Sequence, residues 1–325
     1  MTLNKRTLMQ GLLAGTAATM LGEREALAQA IDQLQIFVPA APGGGWDQTG
    51  RTIEAVLRAT NAIKTAQVTN VPGAGGVVGL PQFLNQWRGR PNALMVGGMV
   101  MVGAIIANKA PVKLTSTLPV ARLTGEFLAI AVPPNSPFKT AADFVAALKA
   151  DPTKVPVAGG SAGGSDHILF GMFGKAVGVP ASKLSYVAFA GGGPAQAALL
   201  GGHVAAGISG YGEFGEQIKA GKLRALAISA DTRQAGIDVP TLKEQGVDVE
   251  LFNWRGVFAP PGITAEQHQS MVSLMDTMTK SAAWREECAK RDWTSIPLLG
   301  DAYAKYVESE TVRIEAILKD LGLAS

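Results

Sequence analysis

Apolar residues along this chain fall in short runs, each closed by proline or glycine and followed by a stretch with helical spacing. The run Gln35–Val38 ends at Pro39, and the loop Ala40–Trp46 follows. Ile53, Val56 and Leu57 then recur on one helical face, which predicts a helix from Asp47 to Thr60. Ala66–Asn70 reads as a second strand, Pro72–Gly76 as a glycine loop opening another helix, and Leu94–Val96 as a third strand leading into helix Val100–Ala107. A strand, a glycine loop and a helix in repeated order predict an open, mainly parallel α/β sheet with helices on both faces.

The strong strand Phe127–Val132 is closed by Pro133 and Pro134, after which the pattern restarts. It continues as helix Ala141–Lys149, strand Val155–Ala158, loop Gly159–Gly164, helix Ser165–Val177, strand Ser185–Phe189, loop Gly191–Gly193 and helix Pro194–Leu200. Strands His203–Ile208 and Leu223–Ile228 complete this half; strand Gly256–Phe258 and helical stretches ending near Leu323 finish the chain. The expected organisation is two lobes with two crossings, near Ile130 and near Phe252. Residues 31–130 and 253–325 form one discontinuous lobe and residues 131–252 the other.

The first thirty residues have the signature of an export signal: Lys5 and Arg6, the apolar run Gly11–Leu21, and small residues up to Ala30. That run is too short to span a bilayer, and Asn4–Met9 resembles a twin-arginine signal with lysine in the first place. The expectation is a mature protein that begins near Ile31 and works in the periplasm.

Composition sharpens the picture. Hydrophobic residues make up 47% of the chain, enough for a sizeable core, and a net charge of +3 argues against a nucleic-acid-binding face. The charge is unevenly spread: no Asp or Glu occurs between Glu54 and Glu126, while Arg58, Lys64, Arg88, Arg90, Lys109, Lys113 and Arg122 do. Such a segment carries positive potential that draws small anions. Cys288 is the single cysteine, and His167, His203 and His268 match no metal-ligand spacing, so neither a disulfide framework nor a metal centre is expected.

Candidate chemistry lies in the glycine loops. Pro42–Asp47, Pro72–Gly76 and Gly159–Ser165 each place glycines at a strand's C-terminal end, before a helix or helical turn. Backbone N–H groups converging there bind an anion without a catalytic side chain. Enzymatic alternatives fit less well. Gly73–Gly79 loosely resembles a dinucleotide fingerprint, but no acidic residue follows about twenty positions on to hold a ribose. Ser161, Ser165, Asp166 and His167 look hydrolase-like, yet Ser161 sits in Gly-Gly-Ser-Ala-Gly-Gly rather than in a nucleophile elbow.

The ordered set of motifs resembles one family. Val38–Asp47 and Asn70–Gly76 are similar to the two signatures of the Bug/TctC proteins, the extracytoplasmic binding components of tripartite tricarboxylate transporters. The resemblance runs on through Asn135–Thr140, Gly192–Pro194, Leu199–His203, Lys219–Leu226 and Phe258–Gly262. It implies a periplasmic-binding-protein fold of type II and no enzymatic activity or cofactor. It also implies a ligand held in the interlobe cleft by backbone amides, small hydroxyls and bridging waters. The matching positions are Ala41, Gly43, Gly44 and Asp47, then Gly75 and Gly76, and in the other lobe Ser161, Gly164, Ser165, Gly192 and Ser209. The implied partners are a small carboxylate and membrane subunits of the TctA and TctB type, with the protein acting as a monomer; a sensor kinase is the alternative partner. Ala40, Trp46 and Arg255 depart from the commoner family residues. After strand His203–Ile208 the chain reads Ser209-Gly210-Tyr211, with Glu213 the first acid beyond. On that reading the expected ligand is an unaminated di- or tricarboxylate such as citrate.

Overall fold

A computed structural model describes residues 31–324; the proposed signal segment lies outside them. Ten strands form one hydrogen-bonded system in the order β2-β1-β3-β9-β4-β7-β5-β6, with β10 and β8 also on β4. One arm holds β1 (Gln33–Val38), β2 (Thr65–Asn70) and β3 (Ala93–Gly98) in parallel, and the other holds β5 (Val157–Gly159), β6 (Tyr186–Ala188) and β7 (Ala206–Gly210) in parallel. Between them the pairing is antiparallel. β4 (Leu118–Val132) runs from arm to arm, beside β8 (Arg224–Ile228), β9 (Phe252–Ala259) and β10 (Thr294–Leu299). The sheet is therefore mixed: parallel in its outer parts, as the strand–loop–helix pattern predicts, and antiparallel where the long strands cross.

β4 changes partners abruptly. Through Phe127 it pairs with β9, and from Leu128 onward with β7 and β8. β9 begins at Phe252, directly opposite Phe127, and the two rings lie 4.9 Å apart. The residues before Phe127 escape a propensity reading because Pro119 interrupts them; the register slips between Pro119 and Ala121, which accommodates the missing N–H. Pro297 hides β10 in the same way, and its register shifts between Ser295 and Leu298.

Helices cover both faces. They are α1 (Gly45–Ala59), α2 (Gly79–Gln86), α3 (Met99–Ala107), α4 (Ala141–Ala150), α5 (Ser165–Ala176) and α6 (Gly192–Leu200), then α7 (Tyr211–Lys219), α8 (Ala265–Lys280), α9 (Ala282–Lys290) and α10 (Gly300–Asp320). Trp254 of β9 is fully buried; its indole N–H donates to Glu310 of α10 at 2.8 Å, and Tyr303 meets it edge-on. Helix α7 has no counterpart in the sequence reading. Gly212 and Gly215 lower its helical propensity, and Gly212 is there because a Cβ would overlap the Arg291 carbonyl of the other arm. No helix of the described residues is long and apolar enough to cross a membrane.

Candidate functional site

The strand ends of both arms face one another across a cavity of about 60 Å³. Loops β1–α1, β5–α5 and β6–α6 meet there, and each helix begins at a glycine N-cap: Gly44, Gly164 and Gly191. A glycine cap has no side chain to occupy the first-turn N–H groups, and the positive ends of three helix dipoles converge, with the Gly45 N–H facing Glu213. The wall also includes the Ser161, Ser165 and Ser209 hydroxyls.

Of the predicted positions, Gly44, Gly75, Ser161, Gly164, Ser165, Gly192 and Ser209 line the cavity. Ala41, Gly43, Asp47 and Gly76 do not. The Ala41 N–H points across the arms to the Ala190 carbonyl at 3.4 Å. Gly43, with φ at +85°, donates its N–H to Asp47 Oδ2 at 2.9 Å, and Asp47 also accepts from Arg51 and Asn70. Asp47 thus braces the loop from behind. Burial works to raise its pKa, but the bonds from Arg51, Gly43 and Asn70 outweigh it and hold the carboxyl below its usual value. Gly76 packs behind the wall against Met101, Trp46 and Pro39.

The other arm repeats the device with a different outcome. The Gly160 N–H donates to Asp166 Oδ2 at 2.7 Å, and the Ser165 hydroxyl donates to Oδ1 at 2.9 Å. Asp166 has no cation at hydrogen-bonding range, and burial reinforced by the charge of Glu213 pushes its pKa up to about 7. His167 accepts the Gly163 N–H at Nδ1, stacks on Tyr186 at 4.3 Å, and is held neutral by burial with a pKa of about 4. Ser165 spends its proton on Asp166, and the imidazole faces a backbone amide and a phenol ring. No activated nucleophile results.

Arg255 stands at the junction of the arms and is 2% exposed. Its Nη2 bonds Glu126 Oε1 of β4 and, at 3.1 Å, Glu213 Oε1 of α7. Burial raises the pKa of both glutamates against the pull of Arg255, and the charges of Glu213 and Asp166 push Glu126 further up. Arg255 Nε and Nη1, Glu126 Oε2, Glu213 Oε2 and Asn253 Oδ1 are buried without partners. Glu213, Asp166, Asn253 and Arg255 all line the cavity. Sequence reasoning treated Glu213 as lying beyond the site because it did not see α7; one helical turn carries the side chain back past Ser209. The acid-free segment Ala55–Gly125 contributes no charged side chain to the cavity wall. Of its seven cations, Lys64 pairs with Asp32, Arg90 covers Trp87 and Arg122 covers Tyr306.

Comparison with known proteins agrees with this architecture. A family model described as "Tripartite tricarboxylate transporter family receptor" (TctC) matches residues 55–323. Among curated relatives, the "UPF0065 protein in gbd 5′region" of Cupriavidus necator is 29% identical, the alignment covering 97% of this chain and 96% of that protein. Protein BugT of Bordetella pertussis is 26% identical over 89% of each. Among solved structures, periplasmic binding protein BugD superimposes with a TM-score of 0.82 at 21% identity, over 90% of this chain and 98% of that one. MatC of Rhodopseudomonas palustris, with bound malate, does so with a TM-score of 0.77 at 23% identity, over 88% and 98%. The family model describes a transporter receptor, and the BugD neighbour is a periplasmic binding protein. The chain belongs to the TctC family of tripartite tricarboxylate transporter receptors, and its fold is that of the Bug-type periplasmic binding proteins.

Proposed function

We propose that this chain is a periplasmic receptor that captures a small organic carboxylate in the cavity between its arms and presents it to membrane subunits of the TctA and TctB type. The observation that carries the reading is the convergence of three uncapped helix N-termini, at Gly44, Gly164 and Gly191, on one cavity. Such an arrangement solvates a carboxylate with fixed N–H dipoles. The neighbours with bound malate and adipate support that ligand class.

The arms close and open about β4 at Phe127–Leu128 and β9 at Phe252, dividing the chain near residues 130 and 252. The cavity wall is drawn from both arms. Ligand binding to both arms then favours the closed form. The ground for excluding an aminated ligand falls away, because Glu213 and Asp166 stand in the wall; the proposal therefore commits to a carboxylate and not to citrate. Titration calorimetry of the mature protein with malate, succinate, adipate, citrate, aspartate and glutamate at matched ionic strength tests it. Saturable binding of at least one acid, returned chemically intact, is expected. Absence of binding to all of them, or conversion of a bound acid, sinks the reading.

A further inference from the structure

Glu213 occupies an unusual place. It belongs to α7 of the second arm, yet its carboxylate reaches across the cleft to Arg255, and the Gly45 amide at the start of α1 also faces it. Both are groups of the first arm. Gly45 and Gly192 are glycines for this reason: a Cβ at Gly45 would overlap the Arg255 guanidinium and crowd Glu213, and one at Gly192 would overlap Glu213 Oε2. The side chain is thus seated between the first turns of α1 and α6, with Oε2 left without a partner. That is where backbone dipoles favour an anion.

We infer that Glu213 is a built-in carboxylate that holds the ligand's seat in the closed, empty receptor and is displaced by the carboxylate of an incoming ligand. This rests on the carboxylate reading above and deepens it. Glu126 is the resident partner of Arg255, since both lie on the crossing strands, whereas Glu213 leaves with its own arm when the cleft opens. Opening therefore removes one of the two acids from Arg255 and frees the Gly45 amide, so the first arm presents an anion site only in the open form. On closure over a ligand, Glu213 has a second place to go. It also borders an outer polar cleft of about 460 Å³ lined by Gln48, Lys219, Lys290 and Arg291 together with Glu216, Glu287 and Asp292, in which Lys219 pairs with Asp292 and Lys290 and Arg291 with Glu287. Turning out into it exchanges a desolvated position for a wet one.

The inference makes Glu213 a competitor of the ligand, and the sign of its removal distinguishes this from a direct binding role. Glu213→Gln keeps the shape and lowers the negative charge. Glu213→Asp keeps the charge but draws it back from Arg255 and Gly45. Calorimetry of both variants and the parent protein with malate, succinate and adipate is the experiment, with thermal melts confirming folding. Both variants are expected to bind the preferred acid roughly 3- to 10-fold more tightly, the scale of one hydrogen bond lost by the competing state. Their ligand-free forms are expected to melt lower, because the bridge between the arms is gone. Unchanged or weaker binding in both folded variants, with the parent binding normally, overturns the inference alone. Failure of parent and variants to bind any of the acids overturns the carboxylate reading together with it.

Discussion

The two glycine loops on opposite sides of the cleft use one device and obtain opposite electrostatics. In the first arm Asp47 reaches back to the Gly43 N–H; in the second Asp166 reaches back to the Gly160 N–H. Asp47 has Arg51 one turn along its own helix and Asn70 from the neighbouring strand, and its pKa is held down. Asp166 has the acid Glu213 as its near charged neighbour, and the one arginine of the cavity wall is already engaged by two glutamates. Local sequence sets which amide each aspartate satisfies. The charge state is decided by burial and by the side chains that pack around each aspartate.

The largest test removes the shared cation. Arg255→Met leaves Glu126 and Glu213 buried without a counter-ion, so urea unfolding at pH 8 should show a loss of about 3–5 kcal/mol. The loss should shrink at pH 6, where the buried acids take up protons. An equal loss at both values would show that Arg255 acts through packing alone.

The aspartates themselves come next, and their signs differ. Asp166 has a folded pKa of about 7 against an ordinary 3.8. Its contribution is therefore present below the ordinary value and is lost as pH rises through about 7. Asp166→Asn, which retains the acceptor for Gly160, should stabilise the protein at pH 8 by on the order of 2 kcal/mol and do little at pH 4. Asp47 has a lowered folded pKa, so its contribution is present above the ordinary value and lost as pH falls through the folded one. Asp47→Asn should cost about 1–2 kcal/mol at pH 8 by weakening charge-assisted bonds. His167, lowered by burial to about 4, adds stability that is lost as pH falls from its ordinary 6.5. Melting curves from pH 4 to 8 for the two variants should therefore diverge, and parallel curves would break the comparison.

Glycines sharpen it further. Gly43→Ala meets no neighbouring atom, and its cost comes only from a φ of +85°, about 1–2 kcal/mol. Gly192 has ordinary backbone, and Gly192→Ala instead drives a methyl into Glu213 and Ser209. Gly43→Ala should lower the melting temperature with little effect on ligand affinity, whereas Gly192→Ala should weaken binding more than it weakens the fold. The smallest effects belong to the hydroxyls. Ser161→Ala should weaken binding by about 0.5–1.5 kcal/mol, measured by calorimetry, because the backbone supplies the rest of the seat; Ser165→Ala should change it less, since that hydroxyl donates to Asp166.

What the sequence by itself determined is the set of features encoded over a few residues. The strand–glycine–helix units are legible, because apolar periodicity and glycine placement act locally; α5 begins at Ser165 as read, whereas α1 and α6 begin at Gly45 and Gly192, ahead of the expected Asp47 and Pro194. Ser161, Ser165 and Ser209 reach the cavity wall because they sit at strand ends that a parallel α/β arm turns to one side. The tertiary structure alone decided the electrostatics. Arg255, Glu126 and Glu213 meet over separations of 129 and 42 residues, across a helix whose glycines disguise it and a strand whose proline does the same. Burial then multiplies charge interactions that are weak in water. An acid-free segment Ala55–Gly125 promised a positive potential for anions, but none of its cations lines the cavity, whose charged side chains are Arg255 of β9, Asp166 of α5 and Glu213 of α7, with Glu126 of β4 paired to Arg255.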